Sequence, residues 1–182
     1  MIYLHCYHLN NSNKDSSKRI LLKNLSHYLG KVVKEKDIKK NTNGKPEIKD
    51  IYFSVSHSKK KLIQAFSIDG NLGVDIEYMD ANRKVMALAK RYFHRLESQW
   101  LETLDAKQSA TMFYKLWSRK EAVCKAQGGR LWYYLRDNYL DENQQMATSI
   151  KGLNLTQLDN IAGFSLVIAS KDSSGNVKII HE

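Results

Sequence analysis

A mixed α+β fold is predicted by three features of this 182-residue sequence. Residues 2–9, 51–55, 62–68 and 73–77 are short apolar-rich runs bounded by Asn, Asp, Gly and Pro turns, the pattern of strands. After Asp80 the apolar spacing becomes helical over residues 81–93, 96–105 and 108–127, with no interior proline. Residues 163–170 and 177–180, joined by a turn at 172–176, read as a closing hairpin. The length suits one ample core or two small, closely packed halves, and is too short for two ordinary separate domains.

In chain order, the first strand (2–9) leads through a polar loop (10–14) to a helix that Ser16 or Ser17 can cap. Its apolar positions are Ile20, Leu21, Leu25 and Leu29, and Gly30 is the stop signal. Lys18, Arg19 and Lys23 cluster near its first turns, where they can serve one anion or form a solvated basic face. A mostly charged stretch, 31–40, ends at a turn containing the only proline, Pro46, which stiffens the backbone just after Lys45. Runs 51–55 and 62–68 then form a strand pair, with Ser56, His57, Ser58 and three lysines in the connection. A turn at 69–71 feeds the strand 73–77, so the succession reads as a β-meander. Gly128 and Gly129 end the third helix, and 130–149 reads as a long loop.

The formal net charge of +10 is unevenly placed. Residues 1–72 carry 14 Lys and Arg against 6 Asp and Glu, whereas 73–182 carry 15 against 13. The front half is therefore the anion-seeking half, suited to nucleic acid, a polyphosphate ligand or an acidic protein. Cys6 and Cys124 are the only cysteines and have no metal-site spacing, so a reducing cytoplasm is expected, with both thiols packing as small hydrophobes. The apolar run at 161–169 is far short of the roughly 20 residues a membrane span needs, and no export signal is read at the start.

The chemistry concentrates in two stretches. Asp75 and Glu77 are i and i+2 on a strand and share a face, with Val74 and Ile76 on the other. Adjacent like charges are costly; a divalent cation with hard oxygen ligands, such as magnesium, would compensate them, and a solvated strand end has the same pattern. On the third helix Trp117, Glu121 and Lys125 are spaced i, i+4, i+8 on one face, with Lys120 beside them. A solvated Glu–Lys pair with Trp117 in the core fits that spacing too. Together the two stretches make a phosphate–metal site: three carboxylates for the ion, and lysines for phosphate oxygens.

Five motifs carry a family resemblance: Asn43-Gly44-Lys45-Pro46, then Phe53 to Ser58, Gly73-Val74-Asp75-Ile76-Glu77, Arg91 to His94 with Glu97, and Trp117 to Ala122 with Lys125. Their order and spacing, over about residues 17–129, resemble the Sfp-type 4′-phosphopantetheinyl transferases. The resemblance implies two similar subdomains about a pseudo-twofold, here 1–72 and 73–182, with the active site between them. It implies transfer of the phosphopantetheine arm of coenzyme A to a serine of an acyl or peptidyl carrier protein, with magnesium, releasing adenosine 3′,5′-bisphosphate. By position, Asp75, Glu77 and Glu121 are implied as metal ligands. Arg19, Lys45 and His57 would hold the 3′-phosphate, with Pro46 and Ser56 beside them and Lys120 and Lys125 on the pyrophosphate. Glu121 is the first choice of base and Glu97 the second. Arg130 stands where the family's second glycine is usual.

An acidic carrier would be steered to the basic enzyme, and Arg91 and Arg95 beside Phe93, Leu96, Trp100 and Met112 resemble a docking surface, although Phe93 and Trp100 filling the core fits the same pattern. A monomer is expected, with no nucleic acid or membrane partner. The competing reading is a non-catalytic, basic nucleic-acid-binding module, which would want interleaved exposed aromatics and bases.

Overall fold

The computed structural model describes residues 1–9, 14–171 and 176–182. In chain order it contains β1 (Ile2–His8), α1 (Lys14–Leu29), a 3-10 turn (Glu35–Asp37), β2 (Lys39–Lys40), β3 (Pro46–Glu47), β4 (Tyr52–Ser58), β5 (Lys61–Ser67) and β6 (Leu72–Tyr78). There follow α2 (Val85–Tyr92), α3 (Arg95–Glu102), α4 (Ala106–Gln127), α5 (Leu131–Leu135), β7 (Ser149–Ile150), β8 (Leu153–Leu158), β9 (Phe164–Ser170) and β10 (Val177–His181). The α+β class holds, in a two-lobed form. One four-stranded sheet runs β10-β1-β5-β4, and a second runs β6-β9-β8-β7.

Strand alternation builds four layers from these parts. On β1 and β5, Leu4, Cys6, Ile63 and Ala65 face the second sheet and meet Val74, Ile76, Leu166 and Ile168 of β6 and β9. The opposite face of the first sheet, with Phe53 and Phe66, packs on Leu25 of α1. On the far side of the second sheet, Val167 and Ala169 of β9 pack on the long helix α4, through Ala122, Val123 and Ala126. Val74 and Ile76 therefore point into the inter-sheet core, and Asp75 and Glu77 are left on the α4 side. Gly73, on that same side, is what lets α4 come close: a Cβ there would stand 2.1 Å from the Ala122 carbonyl oxygen and 2.4 Å from the Ala126 nitrogen.

The pairing of strands differs from the sequence expectation in three places. β6 leaves the meander and pairs antiparallel with β9 instead of β5. β9 and β10 do not form a hairpin, because β10 crosses back and pairs parallel with β1. Residues 130–149 hold the short helix α5 and the start of β7, and the unforeseen strand β8 fills the second sheet between β7 and β9. In the first two cases the rival partners are apolar-rich strands of seven residues each, and local pattern does not choose between them. The hydroxyls expected in a β4–β5 connection, Ser56 and Ser58, lie on β4 itself. α1 already begins at Lys14, so Ser16 and Ser17 sit within its first turn and do not cap it; Gly30, at φ +63°, ends it as expected. Residues 10–13 of the expected polar loop and 172–175 of the expected turn lie outside the described residues. No helix among the described residues is long and apolar enough to cross a membrane.

Candidate active site

The seam between the two sheets is closed by serines. β6 is an edge strand, and its outward N–H groups need acceptors. Ser54, Ser56 and Ser58, alternate residues on β4, supply them: their hydroxyl oxygens accept from Val74 N at 3.0 Å, Ile76 N at 3.2 Å and Tyr78 N at 2.9 Å. Two of these hydroxyls then donate to the acids of β6. Ser56 Oγ reaches Asp75 Oδ1 at 2.9 Å, and Ser58 Oγ reaches Glu77 Oε2 at 3.2 Å.

From the other side, α4 brings Glu121 and Lys125. Lys125 Nζ donates to Asp75 Oδ1 at 2.7 Å and to Ser56 Oγ at 2.9 Å, and stands 3.8 Å from Glu121 Oε2. Glu121 Oε1 accepts from Trp117 Nε1 at 2.9 Å, so the i, i+4, i+8 face predicted from sequence does act as one unit. Asp75 is 2% exposed, and its Oδ2 is buried with no hydrogen-bond partner. Burial, and then the charges of Asp75 and Glu121, push the Glu77 carboxyl up to about 7. Burial and the charge of Asp75 likewise raise Glu121, against the pull of Lys125.

Among the described residues no three His, Cys, Asp or Glu side chains are drawn into a ready ligating group. The donor chemistry nevertheless fits a hard divalent cation. Asp75 Oδ2 is an orphaned buried oxygen, and Glu77 and Glu121 are both held at raised pKa by burial and by neighbouring negative charge.

Glu97 and Lys120 lie elsewhere. Both side chains are fully buried and form an ion pair at 2.9 Å. Glu97 Oε1 accepts from Tyr139 N at 2.8 Å, and Oε2 from His94 N at 3.1 Å, where Glu97 closes the capping box of α3. Lys120 donates to the Asp137 carbonyl at 2.6 Å and lies over the rings of Tyr139 and Phe93. Burial lowers Lys120 to about 8, with Glu97 acting in the opposite direction. Lys120 thus turns away from the Trp117, Glu121 and Lys125 face.

A cavity of about 470 Å³ opens beside Lys125. The first lobe lines it with Lys18, Pro46, Phe53, Val55, His57 and Lys59, and the second with Cys124, Lys125, Gly128 and Gly129. His57 and Arg19 are exposed, but Arg19 is not among the lining residues; its neighbour Lys18 is, and it pairs with Glu35. The sequence groups Lys18 with Arg19 and Lys23 as a cluster able to serve one anion, but only Arg19 is implied there as a phosphate contact; the structure favours Lys18, since Lys18 and Leu21, three apart on α1, share the face that lines the cavity. Cys124 reads from sequence only as packing; the thiol borders the cavity and is pushed up to about 11, chiefly by burial. Lys45 contributes to the wall, but its side chain is buried, with its ammonium on Leu72 O, Ala126 O and Asn71 Oδ1.

The family model described as the 4′-phosphopantetheinyl transferase superfamily matches residues 71–173, which run from the start of β6 through all the helices after α1 to the end of β9. Among curated proteins, the chain is 37% identical over 105 residues to a putative 4′-phosphopantetheinyl transferase of Synechocystis sp., covering 55% of this chain and 43% of that one. It is 31% identical over 114 residues to the 4′-phosphopantetheinyl transferase gsp of Aneurinibacillus migulanus, covering 62% and 47%. It is 32% identical over 82 residues to the 4′-phosphopantetheinyl transferase AcpT of Escherichia coli, covering 45% and 42%. The match takes in less than half of each of these relatives.

Proposed function

Because the chain belongs to the 4′-phosphopantetheinyl transferase superfamily, we propose that it moves the phosphopantetheine arm of coenzyme A onto a serine of an acyl or peptidyl carrier protein, in the manner of the Sfp type. The observation that carries this reading is the cluster of the buried acids Asp75, Glu77 and Glu121, joined through Asp75 and Glu121 to Lys125, which lines a cavity between the lobes.

In this reading coenzyme A lies in the cavity, with its 3′-phosphate toward the basic first lobe at Lys18, His57 and Lys59, and with exposed Arg19 next to Lys18 on α1. Asp75, Glu77 and Glu121 would hold magnesium. When bound, that ion supplies positive charge to the pyrophosphate oxygens. The serine hydroxyl of the carrier attacks the phosphorus bearing the pantetheine arm. A new P–O bond forms as the bond to adenosine 3′,5′-bisphosphate breaks, and alignment with charge stabilisation supplies most of the rate. Glu121 takes the hydroxyl proton, a role that its raised pKa supports. Lys125, on the cavity wall, offsets charge on the leaving group. Glu97 is the weaker candidate for base, because both its oxygens are engaged in the core.

The carrier would approach α2 and α3. Arg91, Arg95 and Leu96 are exposed there, with exposed Trp132 of α5 beside Tyr92 of α2, while Phe93 stacks on Phe113 inside the core. An acidic helix suits that basic and apolar mixture. Two lobes enclosing the cavity within one chain support a monomer, and two free cysteines support a reducing cytoplasm. The nucleic-acid-binding alternative leaves the buried acids without a purpose.

The test is mass spectrometry of apo-carrier proteins incubated with the chain, coenzyme A and magnesium. The expected result is a gain of one phosphopantetheine arm on one serine, lost when magnesium is chelated. Stabilisation by nucleic acid with no mass gain on any carrier would point to the binding module instead.

A further inference from the structure

The turn at residues 41–46 belongs to the first lobe, yet its side chains close the end of the principal helix of the second. A helix leaves its last carbonyls without intrahelical donors. At the end of α4, two of them are met from across the lobe boundary. The Ala126 carbonyl accepts from Lys45 Nζ at 2.9 Å and also from Asn71 Nδ2, and the Gln127 carbonyl accepts from Asn43 Nδ2 at 3.3 Å. The backbone follows: Gly129 N donates to the Asn43 carbonyl at 2.9 Å. Gly128, at φ +79°, is required for this approach, since a Cβ there would stand 2.8 Å from Asn43 Cβ.

Lys45 is the centre of the arrangement. An ammonium has three protons to donate. In Lys45 they have three acceptors: the Ala126 carbonyl on α4, the Leu72 carbonyl at 3.0 Å at the start of β6, and Asn71 Oδ1. The residue is 7% exposed, and its own backbone is fixed by Pro46 and by a 3.0 Å bond from Lys45 N to Asn41 Oδ1. A cation at a helix C-terminus is also favoured by the helix dipole. No donor remains for a phosphate unless this latch opens.

We propose that Lys45, with Asn71, is a positioning residue: it fixes the last turn of α4 and the start of β6 to the first lobe, and so sets where Lys125 and Glu121 stand relative to Asp75. Lys125 immediately precedes Ala126, and Asp75 lies three residues beyond Leu72, so the latch grips both carriers of the proposed centre. Misplacing such groups by about 1 Å is enough to cost roughly a hundredfold in rate.

This inference rests on the proposed transfer reaction, and its test separates the two. Transfer is measured for the wild type, Lys45→Met and Asn71→Ala, with coenzyme A and with 3′-dephospho-coenzyme A as donors. Asn71 does not line the cavity, so Asn71→Ala reports on the latch alone. The expected result is a fall in kcat of about ten- to a hundredfold in both variants with both donors, while the ratio of the two donors' KM values stays at the wild-type figure. A kcat near wild type with a KM ratio collapsed toward one in Lys45→Met would overturn the proposal and make Lys45 a phosphate ligand. Hydrogen exchange supplies a readout that does not need turnover. The amides of residues 124–129 should exchange faster in both variants, and unchanged exchange in both would also overturn the latch. A wild type that transfers no arm from either donor would refute the proposed reaction, and exchange would still decide the latch.

Discussion

Two carboxylate–lysine pairs engage the same helix, and they behave in opposite ways. Lys120 of α4 meets Glu97 with neither side chain exposed; every Glu97 oxygen has a donor, and the ammonium has the Asp137 carbonyl and two ring faces. Five residues on, Lys125 meets Asp75 at a cavity wall, with Glu77 and Glu121 near and Asp75 Oδ2 lacking a partner. The first pair is complete and holds α3 and the 137–139 segment to α4. The second carries excess negative charge and an unsatisfied buried oxygen, and its lysine lines open space, the condition in which a group can bind an ion or move a proton. Residue type does not separate the two; satisfaction and access do.

The largest effect should come from the open pair. Asp75→Ala is expected to lower transfer from coenzyme A by about 10²–10³-fold or more, with the fold retained by circular dichroism; undiminished magnesium-dependent turnover would remove Asp75 from the centre. At the sealed pair the damage should be to stability. Glu97→Gln leaves Lys120 buried without its counter-charge and should cost about 3–5 kcal/mol in denaturant unfolding, with much of that recovered in Glu97→Gln/Lys120→Met. If Glu97→Gln lost turnover with unchanged stability, the contrast between the pairs would fail.

Gly73→Ala tests the contact that brings α4 to β6. The new methyl would meet backbone at Ala122 and Ala126, so a loss of about 1–3 kcal/mol is expected, with reduced transfer as α4 is pushed off the strand. The last effect is a pH-dependent one. In protein freed of metal by chelator, Glu77 has its carboxyl raised from 4.5 to about 7. The folded state then binds more protons than the unfolded between those values, and stability is lost as pH rises through them. Glu77→Gln lacks that loss. Its Tm should match the wild type below about pH 4.5 and gain on it up to about pH 7. A flat difference would mean that Glu77 is not held in this environment.

Much of this contrast could be read in advance, and the unread part has a physical cause. The alternation of Gly73 to Glu77 and the spacing of Trp117, Glu121 and Lys125 are local properties, and both survive in the structure. The destination of Lys120 does not follow from spacing. α4 is enclosed on several sides, so Lys120, outside the cavity-facing stripe, meets the core, where Glu97, the Asp137 carbonyl and the Tyr139 and Phe93 rings make it tolerable. Lys45 reads as a cation on a stiff turn, and its burial depends on the end of a helix 81 residues away. β6 and β10 likewise read correctly as strands, while their partners are chosen by the packing of two sheets.

Transfer of the arm, measured side by side on Asp75→Asn and on Glu97→Gln/Lys120→Met, tests the division of labour most directly. The prediction is a folded, inactive Asp75→Asn and a folded, active double variant. An active Asp75→Asn together with an inactive but stable double variant would place the chemistry at the wrong pair and contradict the account.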